Sequence, residues 1–389
     1  IKLSSTKPTR EGYTFNGWGI EENSSEVKYD AGTTYNFSDN ITLYAVWGVN
    51  NYTLTVNPNG GTWRNTTNTS KVSGDFGTTT AIADPVPPTG YTITFNGNTG
   101  TAGQSSITST KSFSNWTLEG QGSLNGQTYT FGNGDGTITA HYTDNSITLP
   151  NATKTGYHCT GWYTSASGGT KRGDAGGSYT PTQSETLYAQ WAANTYTIKF
   201  NGNGATSGSM ADLSMTYGTA KNLTSNAFSK TGYTFMGWGT SASDTSADYS
   251  NGQSVNNLTT TNGGTVNLYA IWRKTITITY NANNGSGAPG SQTGYAYNSN
   301  TSTNITLSST KPTRTGYTFK GWSTSPTATT VTYQPNTLYS FSESTILYAV
   351  WDANSYTLTI NPNGGTYNGK TENTTVTQDY GTRYTVANP

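Results

Sequence analysis

The sequence predicts a mainly β protein made as a tandem array of small modules of about 80 residues, some divergent or truncated. Three observations predict it. Short aromatic signatures recur in a fixed order along the chain. The segments carrying them alternate apolar residues and Thr with period two, as half-buried strands do. No stretch carries a sustained helical stripe, and the best helical candidate, Tyr35 to Asn40, is short and polar.

The first signature is Gly12-Tyr13-Thr14-Phe15-Asn16-Gly17-Trp18, repeated at Gly156 to Trp162, Gly232 to Trp238 and Gly316 to Trp322. Tyr13 and Phe15 share a strand face, whereas Trp18 has the wrong parity. A bulge at Gly17 is therefore expected to turn Trp18 into the core. The second signature is Leu43-Tyr44-Ala45-Val46-Trp47, repeated at Leu187 to Trp191, Leu268 to Trp272 and Leu347 to Trp351. Leu43, Ala45 and Trp47 fall on one face. Alternation places Tyr44, Tyr188, Tyr269 and Tyr348 on the other, as exposed aromatics recurring once per unit. The third signature, Tyr52-Thr53-Leu54-Thr55-Val56-Asn57, returns at Tyr196, Ile276 and Tyr356. The Asn57-Pro58-Asn59-Gly60-Gly61 run that follows favours a tight reversal, because Asn and Gly tolerate positive φ.

Trp191, Trp272 and Trp351 lie 81 and 79 residues apart, which sets the unit length. Residues 1–85 also align without a gap on 305–389, at an offset of 304, with about half the positions identical. One region departs from the pattern. Between Trp47 and Trp191 lie a further third signature, Tyr91 to Asn96, and eroded first and second signatures at Phe113 to Trp116 and Ile138 to Tyr142. The expected division is 1–48 as the later part of a module, 49–143 as a long divergent region, and 144–192 as a truncated module leaning on a neighbour. Two modules follow at 193–273 and 274–352, and the opening part of another at 353–389.

Composition supports aromatic cores. Charged residues make up 10% of the chain and net charge is zero, against about 25% charged residues in average domains. Trp, Tyr and Phe number 10, 28 and 11. Each large buried aromatic removes about 150–250 Å² from water, or about 4–6 kcal/mol gross, so a few per unit can replace the usual Leu and Ile core. With no basic excess, an electrostatic grip on nucleic acid or anionic lipid is not expected.

The chemistry-bearing residues are sparse. Cys159 is the only cysteine and stands where sister segments have Phe15, Phe235 and Phe319, so a buried structural role is expected. His158 replaces a strand Thr and should face solvent. His141 and His158 have no partners at zinc spacing. Gly132 to Gly136 reads as a hairpin turn, since it lacks the carboxylates a calcium loop needs. Asp30, Glu21 and Glu22 align on Gln334, Ser325 and Pro326, so no acid–base pair recurs between copies. No catalytic, cofactor or metal site is expected.

Through Lys230-Thr231-Gly232-Tyr233-Thr234-Phe235-Met236-Gly237-Trp238, then Leu268 to Trp272 and the Asn-Gly-rich strand, the chain resembles the Listeria–Bacteroides repeat family, related to internalin B-repeats. The resemblance covers nearly the whole chain. It implies β-grasp-like modules in bacterial cell-surface or secreted proteins, serving as non-enzymatic stalk or adhesin segments. A self-assembling fibre and glycan-binding modules are the alternatives. Expected partners are neighbouring modules, identical chains, and a host or environmental glycan or protein. Nucleic acid and membrane insertion within these residues are not expected.

Overall fold

The computed structural model describes residues 1–388. Among them every regular element is a strand, and Tyr35 to Asn40 is irregular chain. The chain divides into two compact units, Ile1–Ala192 and Ala193–Pro389.

The second unit shows the module in its plainest form. An opening strand, Thr195–Asn201, carries the third signature and pairs antiparallel with a return strand, Leu213–Thr216. The first signature forms the Gly-Trp strand Thr234–Gly239. The second signature forms a closing strand, the first half of Gly264–Asn281. The opening strand runs parallel to the closing strand, and the Gly-Trp strand runs antiparallel to it. The sheet order is thus return, opening, closing, Gly-Trp. A parallel central pair needs a crossover, and here it carries a small two-stranded layer, Lys221–Asn222 with Ser254–Val255. The core lies between sheet and layer: Ile198, Trp238, Leu268 and Ala270 meet Leu223 and Val255.

The next module repeats this order with Gln292–Tyr297, the second half of Gly264–Asn281, Thr345–Ala353 and Tyr317–Ser323. One strand of 18 residues therefore closes one module and opens the next. Beyond it, Ser355–Ile360 and Thr374–Asp379 form an opening hairpin, and among the described residues no closing strand pairs with it.

The first unit begins with a Gly-Trp strand, Tyr13–Gly19, on a closing strand, Tyr44–Val49. Its other two modules are interleaved. The opening strand Asn51–Asn57 is parallel to Gly136–Asp144, which pairs with Lys111–Gly120. The opening strand Thr92–Asn96 lies between those elements in sequence but is parallel to Glu185–Ala193, beside the Gly-Trp strand Tyr157–Tyr163. The chain opens two modules and then completes them in the same order. This corrects the expected division at 143. The segment 144–192 has its opening strand at 92–96, and 111–144 completes the module opened at 51. The physical reason is edge satisfaction: a closing strand alone leaves a row of unpaired backbone groups and an open apolar face. The Tyr91 to Asn96 copy supplies both partners, seating Phe95 on Trp162 at 4.9 Å between ring centroids.

The expected bulge is present. Register slips between Phe15 and Gly17, Phe235 and Gly237, and Phe319 and Gly321. These bulge glycines have φ of 148°, 134° and 152°. A Cβ on Gly321 would lie 2.4 Å from Val331 Cγ1 and 2.9 Å from the Tyr333 carbonyl oxygen. The slip turns Trp238 and Trp322 fully into their cores, and leaves Trp18 half-buried in the two-stranded copy.

Candidate contact surface and module joints

Tyr44, Tyr188, Tyr269 and Tyr348 are half-buried, which corrects the expectation that they stand exposed. Their faces were read correctly: Leu268 and Ala270, on either side of Tyr269, point into the core. The outer face is covered nearby, because Val46, Ile271 and Val350, two residues further along it, are buried too. In the module of Tyr269 the loop after the Gly-Trp strand comes beside this face: a Cβ on Gly239, the last residue of that strand, would lie 2.8 Å from Ile271 Cδ1 and 2.7 Å from Asp244 Oδ2 of the loop, so glycine leaves room for both.

A repeated asparagine device pins this loop. Asn57, Asn96, Asn201 and Asn281 end their opening strands, and Asn361 directly follows Ser355–Ile360. Their side-chain oxygens accept the backbone N–H of the residue two further on, at 2.8 to 2.9 Å. That second residue is also Asn and has positive φ, from 46° to 49° in all five turns. In complete modules its amide donates outward. Asn203 reaches the Ala242 carbonyl of the loop at 3.0 Å and the Ala270 carbonyl of the closing strand at 2.9 Å. Asn98 does the same with Ala166 and Ala189, and Asn283 with Pro326 and Ala349. The second-signature tryptophan answers: the Trp272 indole donates to Gly202 at 2.7 Å, and Trp351 to Ala282 and Asn283 at 3.0 and 2.9 Å. The Asn-x-Asn spacing was visible in the sequence as a turn, but its clamping role was not.

A second device was also missed. The four residues ending in the first-signature tyrosine form a turn in which Tyr13, Tyr157, Tyr233 and Tyr317 donate N–H to Arg10, Lys154, Lys230 and Arg314. The glycine at the third position has φ between 74° and 78°. The turn folds the basic side chain over the tyrosine ring, at 3.8, 4.2, 4.7 and 3.7 Å from its centroid. Each stack is worth about 0.5–1 kcal/mol at an exposed site. The signal was Arg or Lys three residues before each Tyr.

The titratable groups serve structure. Arg172 donates to Glu185 from Nε and Nη2, at 3.0 to 3.3 Å, and Tyr179 donates its hydroxyl to the same carboxylate. Burial and then the Glu185 hydrogen bond push the Tyr179 phenol up to about 12. Cys159 is half-buried against the core containing Trp162, and burial pushes its thiol up, which opposes nucleophilic use. His158 is exposed, and His141 is exposed with its ring nitrogen 2.9 Å from Thr117 Oγ1. The Gly132 to Gly136 turn spends its oxygens on the neighbouring strand: Asn133 accepts from the Tyr52 hydroxyl and Asp135 from Thr53 N–H. Among the described residues no group of three or more His, Cys, Asp or Glu side chains is placed to hold a metal. Among the described residues no helix is long and apolar enough to cross a membrane.

The arrangement can therefore present a tyrosine edge and an Asn turn once per module, on a clamped outer face. Known proteins carry the same pattern. The profile of the Listeria-Bacteroides repeat domain matches residues 1–46, 123–190, 196–271 and 277–350. A protein of Evansella cellulosilytica, provisionally named Gly-rich membrane protein, is 32% identical over 235 residues, covering 55% of this chain and 24% of that protein. A second Evansella protein, provisionally named membrane protein, is 32% identical over 250 residues, covering 60% and 35%. Internalin H of Listeria monocytogenes is 37% identical over 91 residues, covering 23% and 15%. The chain thus spans about a third or less of each of these relatives.

Proposed function

The chain belongs to the Listeria-Bacteroides repeat family, and from that premise we propose that it is a non-enzymatic, extracellular stalk or adhesin segment of a bacterial surface protein. The observation that carries this reading is the strand Gly264–Asn281. Two modules share it, so their joint is a continuous hydrogen-bonded ladder and not a flexible linker. Asn298 reinforces the joint: it accepts Trp272 N–H at 3.0 Å and its amide donates to the Ala242 and Asp244 carbonyls at 3.1 and 2.5 Å. Lys230 adds a bond to the Asn298 carbonyl at 2.6 Å. A stiff joint between β-grasp-like modules suits a spacer that holds another domain away from a surface. The family and the membrane-protein and internalin names of the relatives support a surface location.

Small-angle scattering tests the proposal. A single compact globule of 389 residues would have a radius of gyration of about 21 Å. A stalk segment should exceed this clearly. A radius near the globular figure would remove the spacer role.

A further inference from the structure

Each complete module is entered along its opening strand and left along its closing strand. These strands are parallel neighbours: Tyr196 to Asn201 face Gly264 to Tyr269, and Ile278 to Asn281 face Thr345 to Tyr348. Tension along the chain therefore pulls the opening strand toward its start and the closing strand toward its end. The ladder between them is loaded lengthwise, so its bonds must give together. The asparagine clamp adds a rung past the end of that ladder, since Asn203 reaches the Ala270 carbonyl and Asn283 the Ala349 carbonyl. The shared strand Gly264–Asn281 hands the load straight from one module to the next. The module opened at Asn51–Asn57 is loaded in the same way, with Leu54 to Asn57 facing Gly136 to Thr139 and Asn59 reaching the Ala140 carbonyl.

The interleaved module closed at Glu185–Ala193 is loaded differently. Its opening strand, Thr92–Asn96, lies in the chain between the opening and closing strands of the module before it. While that earlier module holds, the load passes from Asp144 into residues 145–193 and bypasses Thr92–Asn96. It reaches the Gly-Trp strand Tyr157–Tyr163 and leaves by its neighbour, the closing strand Glu185–Ala193. By the repeat alignment Tyr157 stands opposite Ala193, as Tyr317 stands opposite Ala353. The two loaded ends are thus side by side, at one end of an antiparallel pair, and tension opens that ladder one rung at a time. The ties ahead of it are short: Ala152–Thr153 pairs with Thr101–Ala102, and Gly103 N–H reaches the Asn151 carbonyl. Forced unfolding follows the barrier to opening and not net stability, so the direction of loading sets the order of failure.

We infer that the chain bears tension through its lengthwise-loaded modules, and that residues 145–193 are a sacrificial segment that peels first and lengthens the chain while those modules hold. Roughly 50 residues at 3.3–3.6 Å each give about 150 Å of added reach. Thr92–Asn96 stays tethered in the unbroken module, so the segment keeps its partner strand at hand when tension falls. The use of this device rests on the stalk reading. Scattering tests the reach of the unloaded chain, whereas pulling tests the strand order, so either reading can fail without the other.

Single-molecule force spectroscopy of the 389-residue chain, held by its two ends, tests the inference. Releases of about 250–300 Å, from complete modules of roughly 80–95 residues, should come last and at the highest force. The earlier, low-force extension should include about 150 Å from residues 145–193, beside what the end segments 1–49 and 355–388 give. A staple identifies that share. His158 and Ala192 are opposite by the same alignment, so His158→Cys with Ala192→Cys, in a Cys159→Ala chain, should join as a disulfide. Oxidation should then shorten the low-force extension by about 110–120 Å, the length of the roughly 35 residues enclosed, and leave the long releases unchanged. Reduction should restore it. Long releases that come first, a low-force extension indifferent to oxidation, or a staple that does not form would each overturn the inference.

Discussion

The hairpin at 51–75 and its copy at 355–379 share Tyr-Thr-Leu-Thr and Asn-Pro-Asn-Gly-Gly-Thr, and they pair in the same register. Leu54 faces Val72 in one, and Leu358 faces Val376 in the other. Yet Leu54 is wholly buried, while Leu358 is 44% exposed. The difference is the closing strand Gly136–Asp144, which lies along the first hairpin and has no counterpart on the second among the described residues. The same contrast separates Trp322, fully buried beside a complete sheet, from Trp18, half-buried in a two-stranded one. Local sequence makes the hairpin and the bulge. Completion by a distant strand makes the core.

The strongest way to sharpen this contrast is to truncate the paired tryptophans. Trp322→Ala should cost about 3–5 kcal/mol in chemical denaturation of the unit that holds it, and Trp18→Ala clearly less. Equal costs would mean that the two-stranded copy is already a finished core. Next in size is the leucine pair. Leu54→Ala should cost about 2–5 kcal/mol, while Leu358→Ala should stay within about 0.5 kcal/mol. The clamp gives a smaller effect. Asn283→Gly keeps the positive φ but removes two amide bonds, for about 1–3 kcal/mol, whereas Asn363→Gly should be near neutral. Such a result would place the clamp's worth in its partners and not in the turn.

The smallest expected effect is at high pH, in a completed module alone. The Tyr179 phenol is raised to about 12, first by burial and then by Glu185. The folded state therefore holds this proton more tightly than the unfolded chain does. The resulting stability is fully present below about pH 10, the ordinary phenol value, and is lost as pH rises through about 12. Tyr179→Phe should flatten that part of the decline in a thermal-melt series. An unchanged slope would show that the contact with Glu185 does not survive in solution.

Much of the module was legible in the residues. Period-two alternation located the strands around Tyr52, Leu43 and Tyr13. The parity of Trp18 demanded the Gly17 bulge, and Asn-Gly runs marked the turns. The tyrosine row was legible only as a face. The loops after the Gly-Trp strands beside Tyr188, Tyr269 and Tyr348 are held by Asn98, Asn203 and Asn283 from another strand. A local reading cannot see such a contact.

The mainly β class, the repeat, the aromatic core positions and the backbone conformations at Gly17, Gly60 and Asn59 are all written in the residues themselves. Each depends on alternation or on φ preferences within a few residues. Which halves join is settled by packing in three dimensions. Backbone hydrogen bonding is alike on every strand edge, so alternation permits many parallel pairings among similar opening and closing strands. The choice falls to side chains that meet across the sheet, as Phe95 meets Trp162 rather than the Trp116 that follows it sooner in the chain.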